Sequence, residues 1–157
     1  MPITGLPGLQ GIDHVAIAVP AGSLDAQVRA WAALGFQEIH REEVLGRDQV
    51  REALLRVGNS GNLIQLIEPL TPDSPVQRFL DCTGGRGGLA HIAFRVESAQ
   101  RAYEYLQARG YRLLDPAPRP GSRGTQVFFL HPKSHEEAPL GVLIEVVEDS
   151  DMAAAKN

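Results

Sequence analysis

A chain of 157 residues with 43% hydrophobic side chains is long and apolar enough for one domain with a real core. Its formal net charge of −4 provides no global positive field, so neither nucleic acid nor an anionic membrane is an expected partner. The single cysteine, Cys82, excludes an internal disulfide, and neither a basic leader followed by an apolar run nor a stretch of about 20 apolar residues is present; the expected location is cytoplasmic.

The chain begins with a segment that it later repeats. Gly11-Ile12-Asp13-His14-Val15-Ala16-Ile17-Ala18-Val19 returns as Gly88-Leu89-Ala90-His91-Ile92-Ala93-Phe94-Arg95-Val96, with the histidines 77 residues apart. Both copies alternate as strands do, so Val15, Ile17 and Val19 share one face while His14, Ala16 and Ala18 share the other. After the first copy Ser23 is placed to cap a helix with an apolar stripe of Leu24, Val28, Trp31 and Leu34, ended by Gly35. Strands are expected over 36–39, 50–57 and 63–68. The join over 71–88 holds a short helix around 76–80 and then Gly84-Gly85-Arg86-Gly87-Gly88, which suits a flexible crossing. A phosphate cradle of backbone N–H groups is less favoured there, because no strand precedes it and no helix follows.

In the second copy Ile92, Phe94 and Val96 form the core face and His91 lies opposite with Ala93 and Arg95. Ser98 caps a helix carrying Ala99, Ala102, Tyr105 and Leu106, and Gly110 ends it. Strands over 111–114, 125–130 and 142–147 follow, and residues 149–157 read as a loose tail. The fold class is therefore α+β, two tandem βαβββ modules over about 11–70 and 88–148 within a single domain.

Four side chains carry the chemistry. His14 and His91 face away from the main core beside small residues, and the last strand of each half adds one polar group to an apolar run, Gln65 first and Glu145 second, 80 residues apart. A lone strand histidine is more often a hydrogen-bonded structural residue, but four such groups on repeat-related strands shift the balance toward a metal. A carboxylate buried in an apolar strand needs a cation partner, and neutral imidazoles with a carboxylate suit a borderline divalent ion. Three or four protein ligands leave coordination positions for water and substrate, as a catalytic site requires.

With these residues the chain resembles the vicinal oxygen chelate (glyoxalase/bleomycin resistance) superfamily, and within it the methylmalonyl-CoA epimerases, over roughly residues 11 to 148. The supporting stretches are Ile12 to Val19, Glu68-Pro69-Leu70 with Asp73-Ser74-Pro75, Gly88 to Phe94, and Phe129-Leu130-His131-Pro132-Lys133-Ser134 followed by Gly141-Val142-Leu143-Ile144-Glu145. The resemblance implies a cupped, barrel-like mixed sheet with the metal site inside, His14, Gln65, His91 and Glu145 as ligands, and one divalent ion among Co, Ni, Mn, Zn and Fe. It further implies an acyl-CoA thioester substrate epimerised through a metal-stabilised enolate, with Glu145 as one acid–base group, and a homodimer. Two departures stand out. The epimerases usually carry a glutamate in a Glu-Gln-Gly-Val-like stretch, where this chain reads Gly46-Arg47-Asp48-Gln49-Val50; Asp48 is the leading candidate for the second acid–base group, with Glu43 and Glu52 nearby. The family's paired histidines are here Ala90-His91.

Arg119, Arg123 and Lys133, around the seventh strand, are candidate contacts to coenzyme A phosphates. His131 is expected to be structural, His40 and His135 exposed, and Cys82 buried and unreactive. Two alternatives remain: a glyoxalase-type metal-dependent lyase or isomerase, and a non-catalytic small-molecule-binding protein of the resistance type.

Overall fold

In the computed structural model, which describes residues 5–134 and 139–149, the strands are β1 (Leu9–Ala18), β2 (Gln37–Val44), β3 (Val50–Arg56), β4 (Leu63–Pro69), β5 (Gly88–Val96), β6 (Arg119–Pro120), β7 (Gln126–Leu130) and β8 (Leu143–Glu148). Helices α1 (Leu24–Ala33), α2 (Pro75–Cys82) and α3 (Ala99–Ala108) lie between them, giving the expected α+β class. The strands join one mixed sheet in the order β2-β3-β4-β1-β5-β8-β7-β6. The order reads alike outward from β1 and from β5, as a tandem repeat dictates. Among the described residues no helix is long and apolar enough to cross a membrane. The expected tail beyond Asp149 and the expected exposure of His135 fall outside the described residues.

The chain divides into two compact units, one of His14–His91 and one of Met1–Asp13 with Ile92–Asn157. The boundaries fall inside β1 and β5 rather than at the glycine-rich join, so the compact units are not the sequence repeats. β1 and β5 run in opposite directions: Glu97 N–H donates to the Gly8 carbonyl in one unit, and in the other Gly87 lies against the Ala18 carbonyl.

In the His14–His91 unit, β1 is parallel to β4 with Ala16 beside Gln65, and β3 is antiparallel to β4 with Leu54 opposite Gln65. One sheet face buries Val19, Ala53, Leu55 and Leu66 against Leu24 and Val28 of α1, with Trp31 and Phe36 in edge-to-face contact at 5.0 Å. Leu34, expected in that stripe, is 75% exposed, because the helix ends at Ala33 and Leu34 is its C-terminal cap. On the other face Leu80 of α2 packs on Ala16, Ala18 and Ile67. The Gly84 and Gly85 N–H groups close the end of α2 by donating to Asp81 and Leu80 carbonyls, so they are not spent on a phosphate cradle.

The N-terminus of α1 is capped differently from the sequence expectation. Ser23 Oγ donates to the Pro20 carbonyl at 2.5 Å, and the Leu24 N–H is taken instead by Glu68 Oε2 at 3.1 Å. Glu68, 3% exposed at the end of β4, also pairs with Arg51 at 3.2 Å. A carboxylate at a helix N-terminus satisfies an orphan donor and meets the positive end of the helix dipole. We expect Glu68→Ala to cost about 1–3 kcal/mol in urea denaturation and Ser23→Ala less than about 0.5 kcal/mol; the reverse ranking would assign the cap to Ser23. On the first turn of α1, hydrogen bonding to the Arg41 guanidinium holds the exposed Asp25 carboxyl below the ordinary carboxylate range.

The other unit repeats the device. Ser98 Oγ accepts the Arg101 N–H at 3.2 Å as expected, and Glu148 Oε2, on β8, accepts the Ala99 N–H at 3.2 Å. The core gathers Val96, Ala99, Ala102, Tyr103, Leu106, Phe128 and Val146, with Tyr103 rather than Tyr105 fully inside and edge-on to Phe128 at 5.2 Å. The expected strand over 111–114 is reduced to a single bridge, Leu113 to Leu130, before β6 resumes pairing at Arg119 opposite Val127. Pro116 and Pro118 interrupt this edge because they lack an N–H for the ladder. Asp115 fills the gap: its Oδ2 accepts the Phe129 N–H at 2.8 Å, its Oδ1 takes Arg119 Nε at 2.8 Å, and its carbonyl accepts the Tyr103 hydroxyl.

Candidate metal centre

The repeat brings its two histidines together. His14 Nε2 and His91 Nε2 are 3.1 Å apart, with ring centroids 5.3 Å apart and planes at 72°, and the two residues are 3% and 7% exposed. One tautomer lets either ring donate to the other. The same spacing is what two nitrogens adopt when each lies about 2.1 Å from one ion at roughly a right angle.

Gln65, 5% exposed, sits beside Ala16 on β4 and so shares the sheet face of His14. Its Nε2 donates to Glu52 Oε2, while its Oε1 is buried with no hydrogen-bond partner. A buried carbonyl oxygen without a partner costs free energy, and an ion is the kind of group that offsets it. Two neutral imidazoles and an amide oxygen are donors that a borderline divalent metal accepts, so these residues fit the group expected. In its own unit Glu145 is 8% exposed on β8, opposite Phe129, within the apolar run that the sequence showed. It occupies in the second repeat the place that Gln65 holds in the first.

The second expected acid–base residue, Asp48, is half-buried in the turn between β2 and β3, with its carbonyl accepting the Ser74 hydroxyl at 2.8 Å. Arg47, at the place of the family's glutamate, is exposed in the same turn. Residue Gln49 has a φ of 48°, the left-handed region where the family's motif carries glycine. Glu52 is the carboxylate that sequence reasoning left in the background: it is 2% exposed, and its neighbours Glu42 and His40 on β2 form with it a second group of possible metal donors. The signal that could have found it is the alternation of β3, which puts Val50, Glu52 and Leu54 on one face.

Of the three expected phosphate contacts, two have engaged guanidinium groups. Arg123 Nη2 reaches Asp13 Oδ2 at 2.8 Å and its Nη1 lies 3.6 Å from Asp149, while Arg119 is held by Asp115. Lys133 is exposed. His131 is half-buried, and its Nδ1 accepts the Lys133 N–H, a structural use. His40 is half-buried with its Nε2 3.3 Å from a Glu42 carboxylate oxygen, and Cys82 is exposed at the end of α2, so neither the expected surface exposure of His40 nor the expected burial of Cys82 holds. For Cys82 the reason is helical periodicity, because two residues on from Leu80 it lies about 200° round α2 from the side chain that packs on the sheet.

Comparison with known proteins points one way. Residues 13–129 match the model of the Glyoxalase/Bleomycin resistance protein/Dioxygenase superfamily. The chain is 32% identical over 148 residues to the mitochondrial methylmalonyl-CoA epimerase of Dictyostelium discoideum, covering 93% of this chain and 82% of that one. It superposes with a TM-score of 0.83 and 34% identity on the crystal structure of methylmalonyl-CoA epimerase from Mycobacterium tuberculosis, covering 98% and 97% of the two chains. A variant of the Streptomyces coelicolor methylmalonyl-CoA epimerase, solved in complex with 2-nitronate-propionyl-CoA, matches with a TM-score of 0.79 and 35% identity over 90% of this chain and 99% of that one.

Proposed function

Since the chain belongs to the glyoxalase/bleomycin resistance protein/dioxygenase superfamily, we propose that it is a divalent-metal-dependent epimerase of methylmalonyl-CoA or a related 2-substituted malonyl thioester. The observation that carries this reading is the buried, partnerless Gln65 Oε1 on the face of the 3.1 Å imidazole pair, in a chain whose relatives bear the epimerase name over nearly its whole length. His14, Gln65, His91 and Glu145 are the ligands in this reading; the three that titrate are all buried.

A bound divalent ion would supply positive charge to the thioester and carboxylate oxygens as negative charge develops beside the α-carbon. The protein supplies the rest. Burial of the histidines and of Glu145 excludes water, which strengthens every charge interaction at the reacting atoms. Glu145 takes the α-proton on one side of the plane, and inversion requires a second group to return a proton on the other. Asp48 fills that second role. Lys133 takes the coenzyme A phosphate, because the Arg119 and Arg123 guanidinium groups are already engaged by carboxylates.

The test is solvent deuterium exchange at the α-carbon of methylmalonyl-CoA, followed by NMR, in metal-stripped protein and in protein resupplied with Co²⁺, Mn²⁺, Ni²⁺, Zn²⁺ or Fe²⁺. Exchange is expected only with metal, slowed at least about 100-fold by Glu145→Gln. Asp48→Asn is expected to keep exchange from one epimer while losing inversion. Absence of exchange with every metal would sink the epimerase reading; turnover of a glyoxalase-type substrate in that case would point to the lyase.

A further inference from the structure

Phe129 on β7 is the residue directly opposite Glu145 on β8. Alternation puts Val127, Phe129, Glu145 and Val147 on one face of the sheet, while Phe128 and Val146 on the other face pack on α3. On the Glu145 face Val127 and Val147 are buried together with Ala93. Phe129 is only half-buried, and its ring belongs to none of the buried apolar clusters among the described residues. The repeat sharpens the contrast: Leu54 lies opposite Gln65 as Phe129 lies opposite Glu145, yet Leu54 is fully buried.

The ring is nonetheless held in place. Phe129 N–H donates to Asp115 Oδ2 at 2.8 Å and its carbonyl accepts the Leu114 N–H at 2.9 Å, so the backbone is tied on both sides. Asp115 Oδ1 also takes Arg119 Nε at 2.8 Å, and the Arg119 guanidinium carbon lies 5.6 Å from the centre of the Phe129 ring, within reach of cation–π attraction. A fixed phenyl ring, partly open beside a carboxylate, is a surface suited to an apolar group. The α-carbon of a 2-substituted malonyl thioester carries a proton, a carboxylate, the thioester carbonyl and one alkyl substituent. With Glu145 taking the proton and positive charge meeting the oxygens of both carbonyl groups, the alkyl substituent is the part that seeks apolar contact. We propose that Phe129 is a specificity-determining residue whose ring forms the wall against the 2-alkyl substituent. Phenylalanine is a large side chain and its neighbours on this face are closed, so the room it leaves favours methyl over longer chains. The inference rests on the reading of Glu145 as the acid–base group of a malonyl-thioester epimerase.

The experiment compares the Co²⁺-loaded parent with Phe129→Leu and Phe129→Ala on methylmalonyl-, ethylmalonyl- and propylmalonyl-CoA. Solvent deuterium exchange at the α-carbon gives kcat/KM, calorimetry gives the dissociation constants, and thermal unfolding without ligand checks folding. The parent is expected to favour methylmalonyl-CoA over ethylmalonyl-CoA by about 10- to 200-fold, the worth of one methylene in an apolar pocket. Phe129→Leu is expected to move that ratio at least about 10-fold toward ethylmalonyl-CoA, and Phe129→Ala to extend acceptance to propylmalonyl-CoA, with the dissociation constants moving in the same direction. A merely structural role would lower kcat/KM for all three thioesters together and leave their ratios alone; that result overturns the proposal, as does a parent that turns over the methyl and ethyl substrates equally. Phe129→Leu keeps the test open should the alanine variant not fold. A parent that exchanges none of the three would instead refute the epimerase reading itself.

Discussion

Replacing Asp13 by alanine is expected to remove about 3–5 kcal/mol of folding stability, an exceptional loss for one side chain. Asp13 is fully buried, and its Oδ1 accepts Arg95 Nε and Nη2 at 3.1 and 3.0 Å while its Oδ2 accepts Arg123 Nη2 at 2.8 Å. One carboxylate thus balances two guanidinium groups that are each only 19% exposed. The net worth of such a cluster is modest, because desolvation of three ions offsets most of their attraction. Removing the carboxylate that the two cations share is different: Arg95 and Arg123 then face each other without their common anion, and Asp149, 3.6 Å from Arg123, reaches one of them from the side. Arg123 also holds a φ of 56°, a conformation that non-glycine residues enter at a cost and that the Asp13 contact helps to fix. Equilibrium urea unfolding of Asp13→Ala, compared with an Asp13→Leu, Arg95→Met, Arg123→Met triple variant, separates the two effects. The triple variant is expected to be more stable than the single one, and a single variant losing less than about 1 kcal/mol would show the cluster to be solvated.

Gly87→Ala is expected to cost a similar amount, about 3–5 kcal/mol, for a reason of backbone proximity. A Cβ built at Gly87 would lie 2.3 Å from the Ala18 carbonyl oxygen, well inside contact distance, and both partners are backbone that cannot turn aside. Its φ of 77° adds the penalty of a left-handed conformation. Gly85 supplies the control. It has the same φ of 77°, yet nothing lies within 4 Å of its ideal Cβ, so Gly85→Ala should lose only the conformational part, about 1 kcal/mol. Thermal and urea unfolding of both variants reads the difference as the cost of forcing β1 and β5 apart. Because that pair also holds His14 against His91, Gly87→Ala should weaken metal binding where Gly85→Ala does not. Equal losses from the two variants would dismiss the close approach as a factor.

What could be read from the sequence was whatever obeys a local period or the repeat. Alternation set the faces of β1 and β5 and so paired the histidines; the same repeat set Gln65 and Glu145 in equivalent places. The glycine-rich join looked flexible because a positive φ can be guessed from glycine alone, whereas the Ala18 carbonyl that makes Gly87 necessary is 69 residues distant in the chain. The roles of Arg119 and Arg123 were hidden for a related reason. Arginine in a loop reads as a solvated cation until its carboxylate is found, and for Arg123 that carboxylate is 110 residues away. Glu68 and Glu148 did carry a signal, since they lie 80 residues apart like Gln65 and Glu145, but capping is ordinarily sought in the residue just before a helix. Glu52 was named only as a carboxylate near Asp48, because its burial shows only once the register of β3 against β4 is known.

The outermost strands of the sheet are guarded against aggregation by two unlike means. β6 is two residues long, preceded by Pro116 and Pro118 and ending in Pro120, so it offers an incoming chain almost no row of free N–H and C=O groups. β2 is eight residues long and relies on charge instead, with Glu38, Arg41, Glu42 and Glu43 along its length. The proline guard is indifferent to pH and salt. The charged one yields to salt, which screens its side chains, so at high ionic strength β2 becomes the edge at which molecules of this protein would begin to stick to one another.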